Sequence, residues 1–267
     1  MPDPSAVAVF ADLRAEGGEL DSLVAELPAA DWARATPASG WDIAHQVAHL
    51  HWTDRASLLA LTDADGFGDM VREALKAPDS FVDDGAAEGA ALPPAELLAR
   101  WRAGRVALDA ALDAASPDAR FPWYGPPMKA NSMAGARLME TWAHGQDVAD
   151  ALGVRRTPTA RLRHVARIGV RARDYAYAVR GLPAPSAEFR VELLAPDGGD
   201  PWTYGPVDAG QRVSGPALDF CLLVTQRAHR DDLALTATGP DADRWLDIAQ
   251  AFAGPAGAGR TPQAGPR

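Results

Sequence analysis

His45 and His49 stand four residues apart in GWDIAHQVAHL, and Glu140 and His144 stand four apart in METWAHGQDVADALG. On a helix that spacing puts both members of a pair on one face, with Cβ atoms about 5–6 Å apart. Either pair could therefore share one cation. Imidazole nitrogen and carboxylate oxygen suit Zn2+ and several other first-row divalent ions, and a site with three protein ligands leaves positions open for water or substrate, the condition for catalysis. At about 100° per residue, Ala136, Ala143, Asp147 and Ala151 fall near the face of Glu140 and His144. A face meant only for packing would carry Leu or Val there, so two ligand-type residues among alanines point to a metal-directed pocket; the plain alternative is an exposed polar face. His51 is turned about 200° from His49 and cannot easily join the same site. His164 and His229, lone histidines beside arginines, read as structural or solvated.

The elements that must position these residues follow from apolar spacing. Val9, Phe10, Leu13, Leu20, Leu23, Val24 and Leu27 give a helix over 6–27, closed by Pro28. Ser39 followed by Asp42 reads as a capping box opening a helix over 42–61, which holds His45, His49 and His51. On it Ile43, Val47, Leu50 and Leu58 form an apolar stripe, while His49 lies on another side near His45, Trp52 and Ala56, so either side could face inward. Residues 62–93 hold a short helical patch near Met70 to Leu75 but no sustained period, and read as a connector that could serve as a lid. A third helix starts at the Pro93–Pro94 pair and runs to 112, with Leu97, Leu98, Trp101, Val106 and Leu108 as core candidates. The segment from Phe121 to Met128, with Trp123 and Tyr124, is a loop that either walls an apolar ligand pocket or rigidly covers the core. A fourth helix over 132–152 ends at Gly153 and carries Glu140, His144 and Asp147.

After a further helix over 159–179, Gly181 and Pro183 mark a change to strand periodicity. EFRVELLAP, PWTYG and LALTATG are strand candidates, QRVSG leads into the apolar helix PALDFCLLVTQ, and PDADRWLDIAQAF is amphipathic. The expected class is α+β: a helical bundle over 1–181, a smaller α/β domain over 182–253 and a disordered tail over 254–267. With 26 Lys plus Arg against 36 Asp plus Glu, the net charge is −10, and no basic run offers a footprint for nucleic acid. No stretch approaches the ~18 apolar residues of a membrane span. The N-terminus lacks the features of a secretory signal, and one cysteine allows no internal disulfide, so the expectation is a cytoplasmic protein. That cysteine, Cys221 in DFCLLVT, reads as a small buried hydrophobe rather than a nucleophile. Thiol chemistry would need a low-molecular-weight thiol from outside, which a metal could deprotonate.

GWDIAHQVAHL, then METWAHGQDVADALG, then a smaller α/β region resemble the DinB-like superfamily, and within it the mycothiol-dependent maleylpyruvate isomerase family. The nearest likeness is to an actinobacterial branch described as metal-binding proteins, over most of residues 5–252. The resemblance implies a DinB-like four-helix bundle and a C-terminal domain similar to sterol-carrier folds. Carried onto matching positions, it makes His49, Glu140 and His144 the metal ligands. Asp147 ends the H-x-x-D pattern and would support a ligand or orient substrate. His45 would be a fourth ligand, a proton carrier or a substrate contact. Zn2+ is the first expectation, with Ni2+, Co2+, Fe2+ and Mn2+ compatible with the same donors. The implied cofactor is mycothiol, and the implied activity is metal-assisted thiol addition, transfer or isomerisation on a small electrophilic substrate. A thiol-free hydrolase, lyase or isomerase and a non-catalytic metal-stabilised ligand-binding protein are the rivals. Partners are expected to be a small-molecule substrate, with a homodimer left open and no nucleic acid or membrane.

Overall fold

Helix α2 (Ile43–Thr62) begins where the Asp42 carboxylate accepts the backbone N–H of His45 at 3.0 Å. The cap is therefore Asp42 itself and not the Ser39–Asp42 box expected from spacing. The structure, a computed structural model, describes residues 4–263. Helix α1 covers Pro4–Val24. Two short helices, α3 (Ala64–Ala74) and α4 (Phe81–Ala90), follow α2. Helix α5 (Pro94–Ala114) starts with Pro94 in its first turn, and α6 (Ala130–Leu152) ends at Gly153 in the left-handed region, φ 68°. The long helices pack as a bundle, α1 on α5 and α6, and α2 on α5 and α6. Leu20, Val24, Ile43, Val47, Leu50, Leu97, Trp101 and Val148 fill its core.

Two expectations for this region are corrected. Val106 is 70% exposed, because at about 100° per residue it points some 140° away from buried Trp101. Residues 62–93 form two helices where a connector with only a helical patch near 70–75 was expected, and both pack on α2. Their apolar period is weak because α4 meets α2 through glycines. A Cβ at Gly89 would lie 2.7 Å from the Ala48 Cβ, and one at Gly85 would lie 2.9 Å from the Trp52 Nε1. Close approach takes the place of a leucine stripe.

The chain divides into two units, Met1–Arg156 and Thr157–Arg267, so the boundary falls at Arg156 and not near Gly181. The reason is that α7 (Leu162–Arg171), part of the expected 159–179 helix, packs on α9 (Ala217–Val224) of the second unit. That expected helix also breaks at Ala172, with α8 covering Arg173–Ala178. The second unit holds a mixed sheet in the order β2-β1-β3-β4, built from β1 (Phe189–Leu194), β2 (Trp202–Tyr204), β3 (Gln211–Pro216) and β4 (Thr236–Thr238). β1 runs parallel to β3 with Val191 opposite Val213, and the outer pairs are antiparallel. Phe189, Val191, Leu193, Trp202 and Val213 turn their side chains to the buried face, where α9 and α10 (Pro240–Ile248) also contribute. The whole is α+β.

Of the tail expected to be disordered, residues 264–267 lie outside the described residues. The part before them is tied down: the Gly254 carbonyl accepts from the Tyr175 hydroxyl at 2.8 Å, and the Gln263 N–H donates to Asp232 at 3.1 Å. Polar anchoring replaces the missing apolar content. Among the described residues, no helix is long and apolar enough to cross a membrane.

Candidate metal centre

Packing of α2 against α6 brings together three side chains from two stretches of sequence, with His49 lying 91 positions before Glu140. His49 Nε2 lies 3.4 Å and His144 Nε2 3.2 Å from the same Glu140 oxygen, Oε2. All three potential ligand atoms fall within 4.8 Å of one another. Tetrahedral ligands held about 2.0–2.1 Å from zinc lie about 3.3–3.4 Å from each other, so the spacing suits a shared divalent ion. All three side chains are largely withdrawn from solvent, Glu140 the least, with side-chain exposures of 10% for His49, 12% for His144 and 23% for Glu140.

The chemistry of the donors supports the same reading. His144 donates its Nδ1–H to the Gln46 Oε1 at 2.5 Å, and Gln46 in turn donates to the Thr36 hydroxyl at 2.8 Å. Thr36 passes its proton to the Trp41 carbonyl at 2.9 Å, which fixes the direction of the chain and the orientation of the Gln46 amide. Nε2 of His144 then carries the lone pair of the neutral ring. It can hydrogen-bond Glu140 only as an imidazolium, whereas a divalent cation between them uses the lone pair directly. Burial works to raise the Glu140 carboxyl, but hydrogen bonds from His144 and His49, together with their charge, outweigh it and hold the group well below the usual carboxylate range. Those protons occupy the positions a divalent cation would take, since ligating imidazoles must be neutral while the carboxylate stays ionised.

Gln46 was not among the residues singled out by sequence. The available signal was a polar residue three positions before His49 on a helix with few exposed positions, and Gln46 is fully buried. His49 has no such support: its Nδ1 is buried without a hydrogen-bond partner, so its ring is held by packing. Trp41 lies 5.3 Å from the His49 ring and 5.9 Å from the His144 ring, and Trp52 stacks on His49 at 6.3 Å. The Trp41 Nε1–H donates to Asp83 at 3.1 Å, which ties α4 to the centre.

His45 is not part of the three-residue cluster. Its Nδ1 lies 2.7 Å from the Asp42 carboxylate, so the cap of α2 captures the ring one turn before His49. Asp147 also lies outside the cluster and is fully buried on α6. His51 has a buried Nδ1 and faces Gly104 of α5, away from His49. Cys221 is buried in the second unit, where desolvation pushes its thiol up. Beside the centre, Asp54 and Arg137 form a buried ion pair at 2.9 Å between α2 and α6.

Residues 13–149, which include all three candidate ligands, match the family model described as "Mycothiol maleylpyruvate isomerase N-terminal domain". The chain belongs to this family. Residues 185–238, which contain all four strands of the sheet, match a model described as "Wyosine base formation". Two uncharacterized proteins from strains of Mycobacterium tuberculosis are each 57% identical over 260 residues, covering 97% of this chain and 100% of theirs. A crystal structure of the mycothiol-dependent maleylpyruvate isomerase superposes with a TM-score of 0.60 at 17% identity, covering 87% of this chain and 92% of that one. A histidine-to-alanine mutant of the same enzyme gives 0.59 at 16%. At that identity the likeness speaks to the fold.

Proposed function

We propose that the protein is a divalent-metal-dependent enzyme that activates a low-molecular-weight thiol of the mycothiol type for addition, transfer or isomerisation on a small electrophilic substrate. We read its two units as a DinB-like bundle and a sterol-carrier-like domain. One observation carries the reading: a three-ligand cluster, least buried at Glu140, in a chain of a family whose description names mycothiol.

His49, Glu140 and His144 would hold the ion, with Zn2+ the first expectation. Such an ion, when bound, lowers the pKa of a coordinated thiol or water. The protein's own groups do the rest. Gln46 keeps the His144 Nε2 available as a donor of electron density, and Trp41 and Trp52 limit water on the imidazole side. His45, its Nδ1 held by Asp42, presents Nε2 as a place to receive a proton, an arrangement of base and orienting carboxylate. Asp147, with no exposed surface, would act as a positioning residue on α6 and not by touching substrate. Cys221 is too deeply buried to provide the sulfur, which is why the thiol must come from outside.

The test is metal analysis of the purified protein together with calorimetric titration of mycothiol against metal-loaded protein and against His49→Ala. The expected result is one equivalent of metal in the wild type, none in the variant, and thiol binding only where metal is present. Metal retention without any thiol response would replace this reading with a thiol-free hydrolase, lyase or isomerase. Failure to retain metal would overturn the metal-centre reading itself, and with it both the enzymatic and the metal-stabilised binding alternatives.

A further inference from the structure

The ring cluster beside the centre does not close into core. From His49 the contacts run to Trp52 at 6.3 Å, from Trp52 to Phe81 at 5.7 Å and to Tyr124 at 6.5 Å, and from Phe81 to Tyr124 at 6.1 Å. Three separate segments supply these rings: α2, the first residue of α4, and the loop before α6. On the far side of Tyr124, Phe67 is only 2% exposed and belongs to the core. Trp52 and Phe81 are only half-buried, and Tyr124 is 39% exposed.

Open aromatic surface costs hydration free energy in proportion to its area, and a packing cluster would have buried it. The loop that carries Tyr124 is rigid: Phe121 and Met128 exchange backbone hydrogen bonds of 2.8 and 2.9 Å across its base, and Arg120 bonds the Pro127 carbonyl at 3.1 Å. Tyr124 is therefore held where it is without a ligand to order it. A half-exposed, pre-positioned set of rings continuous with a metal ligand is the wall of a binding site.

Resting on the metal-centre reading above, we propose that the centre takes a planar aromatic ring against Trp52, Phe81 and Tyr124. The molecule it acts on would then carry an aryl group in place of a wholly aliphatic skeleton. Ring stacking supplies selectivity, and the metal holds the polar end.

The probes are acetohydroxamate, cyclohexanecarbohydroxamate and benzohydroxamate, which share one metal-binding group and differ in the attached carbon skeleton. Their dissociation constants are measured on Zn2+-loaded full-length protein without thiol. Benzohydroxamate should bind about tenfold more tightly than acetohydroxamate, with the saturated ring between them. Tyr124→Ala and Phe81→Leu should each reduce the benzohydroxamate preference about two- to tenfold while zinc content and acetohydroxamate affinity stay fixed. Tyr124 is exposed enough for its variant to fold. Equal affinities for the three probes would overturn the proposal, as would a cyclohexyl probe that matches the phenyl one or a preference that survives in the double variant. The thiol reading is independent of this result: a ring preference without mycothiol binding rejects the thiol alone, and mycothiol binding without a ring preference rejects the aromatic substrate alone.

Discussion

Replacing Gln46 by leucine removes the acceptor that holds His144 in one tautomer, while roughly preserving the volume of a fully buried side chain. Loss of a group that orients a metal-ligating histidine typically weakens metal binding about 10- to 100-fold, or about 1.4–2.7 kcal/mol. The upper part of that range is expected here. The contact is short at 2.5 Å, and both of its groups are withdrawn from solvent, Gln46 fully and the His144 side chain with 12% exposure. The Gln46→Glu variant retains an oxygen at the same place and should hold zinc within about threefold of the wild type, since an anionic acceptor raises ligand basicity. Competition for Zn2+ against a chromophoric chelator gives the dissociation constants, and urea unfolding of the metal-free proteins checks that folding is intact. A Gln46→Leu protein with unchanged zinc affinity would refute the reasoning. So would equal losses in both variants, because then the effect lies in packing and not in the hydrogen bond.

Three further outcomes follow from the same geometry. Asp54→Ala strands the Arg137 guanidinium, 2% exposed, and should cost about 3–5 kcal/mol in urea unfolding, with most of it recovered when Arg137→Met is added; an undiminished midpoint would contradict the ion pair. The Asp109 carboxyl is raised above its ordinary value of 3.8, chiefly by burial against the opposing pull of Arg14 and Arg105, so the folded state binds a proton that the unfolded state gives up. Its protonated form is fully favourable below 3.8, and that benefit is lost as pH rises through the higher folded value; Asp109→Asn should therefore be more stable than wild type at neutral pH and equal to it in acid, and a variant less stable at neutral pH would reverse the sign. Cys221, buried with its thiol pushed up, should not react with a disulfide reagent in the native protein and should count as one thiol after unfolding; rapid native labelling would refute its burial.

The separate halves of the centre were visible in the sequence because each rests on local spacing, but their meeting was not. Nothing in the i, i+4 pairs distinguishes His45 from His49, and it was the family resemblance that favoured His49. The physical discriminator is Asp42: one carboxylate caps α2 and binds the His45 ring, a role that becomes apparent only once the helix start is known. Gln46 escaped because a lone glutamine carries no spacing signal. Helix α3 showed only as a patch near 70–75, and α4 escaped because an apolar period is carried by large side chains, whereas Gly85 and Gly89 make contact by having none. The boundary misplaced at Gly181 has a similar origin, since turn residues mark where the backbone bends and not which unit a helix packs on. Val106 shows the reverse error, an apolar residue assigned to the core by type when its angular position sends it to solvent.

These differences sort the first unit by task. The candidate ligands sit on α2 and α6, long helices fixed by the bundle core and by the buried Asp54–Arg137 pair, where ring positions must hold to fractions of an ångström. The partly open rings Phe81 and Tyr124 come from α4 and the 121–128 loop, segments that supply no ligand to the cluster. Trp41 and Asp83 join the two layers by one hydrogen bond. Such a division lets one metal centre serve different substrates, because selectivity can change in the short helices and the loop while the coordinating helices stay as they are. It also gives a physical reason why a fold shared with a maleylpyruvate isomerase at 17% identity does not by itself carry that enzyme's substrate.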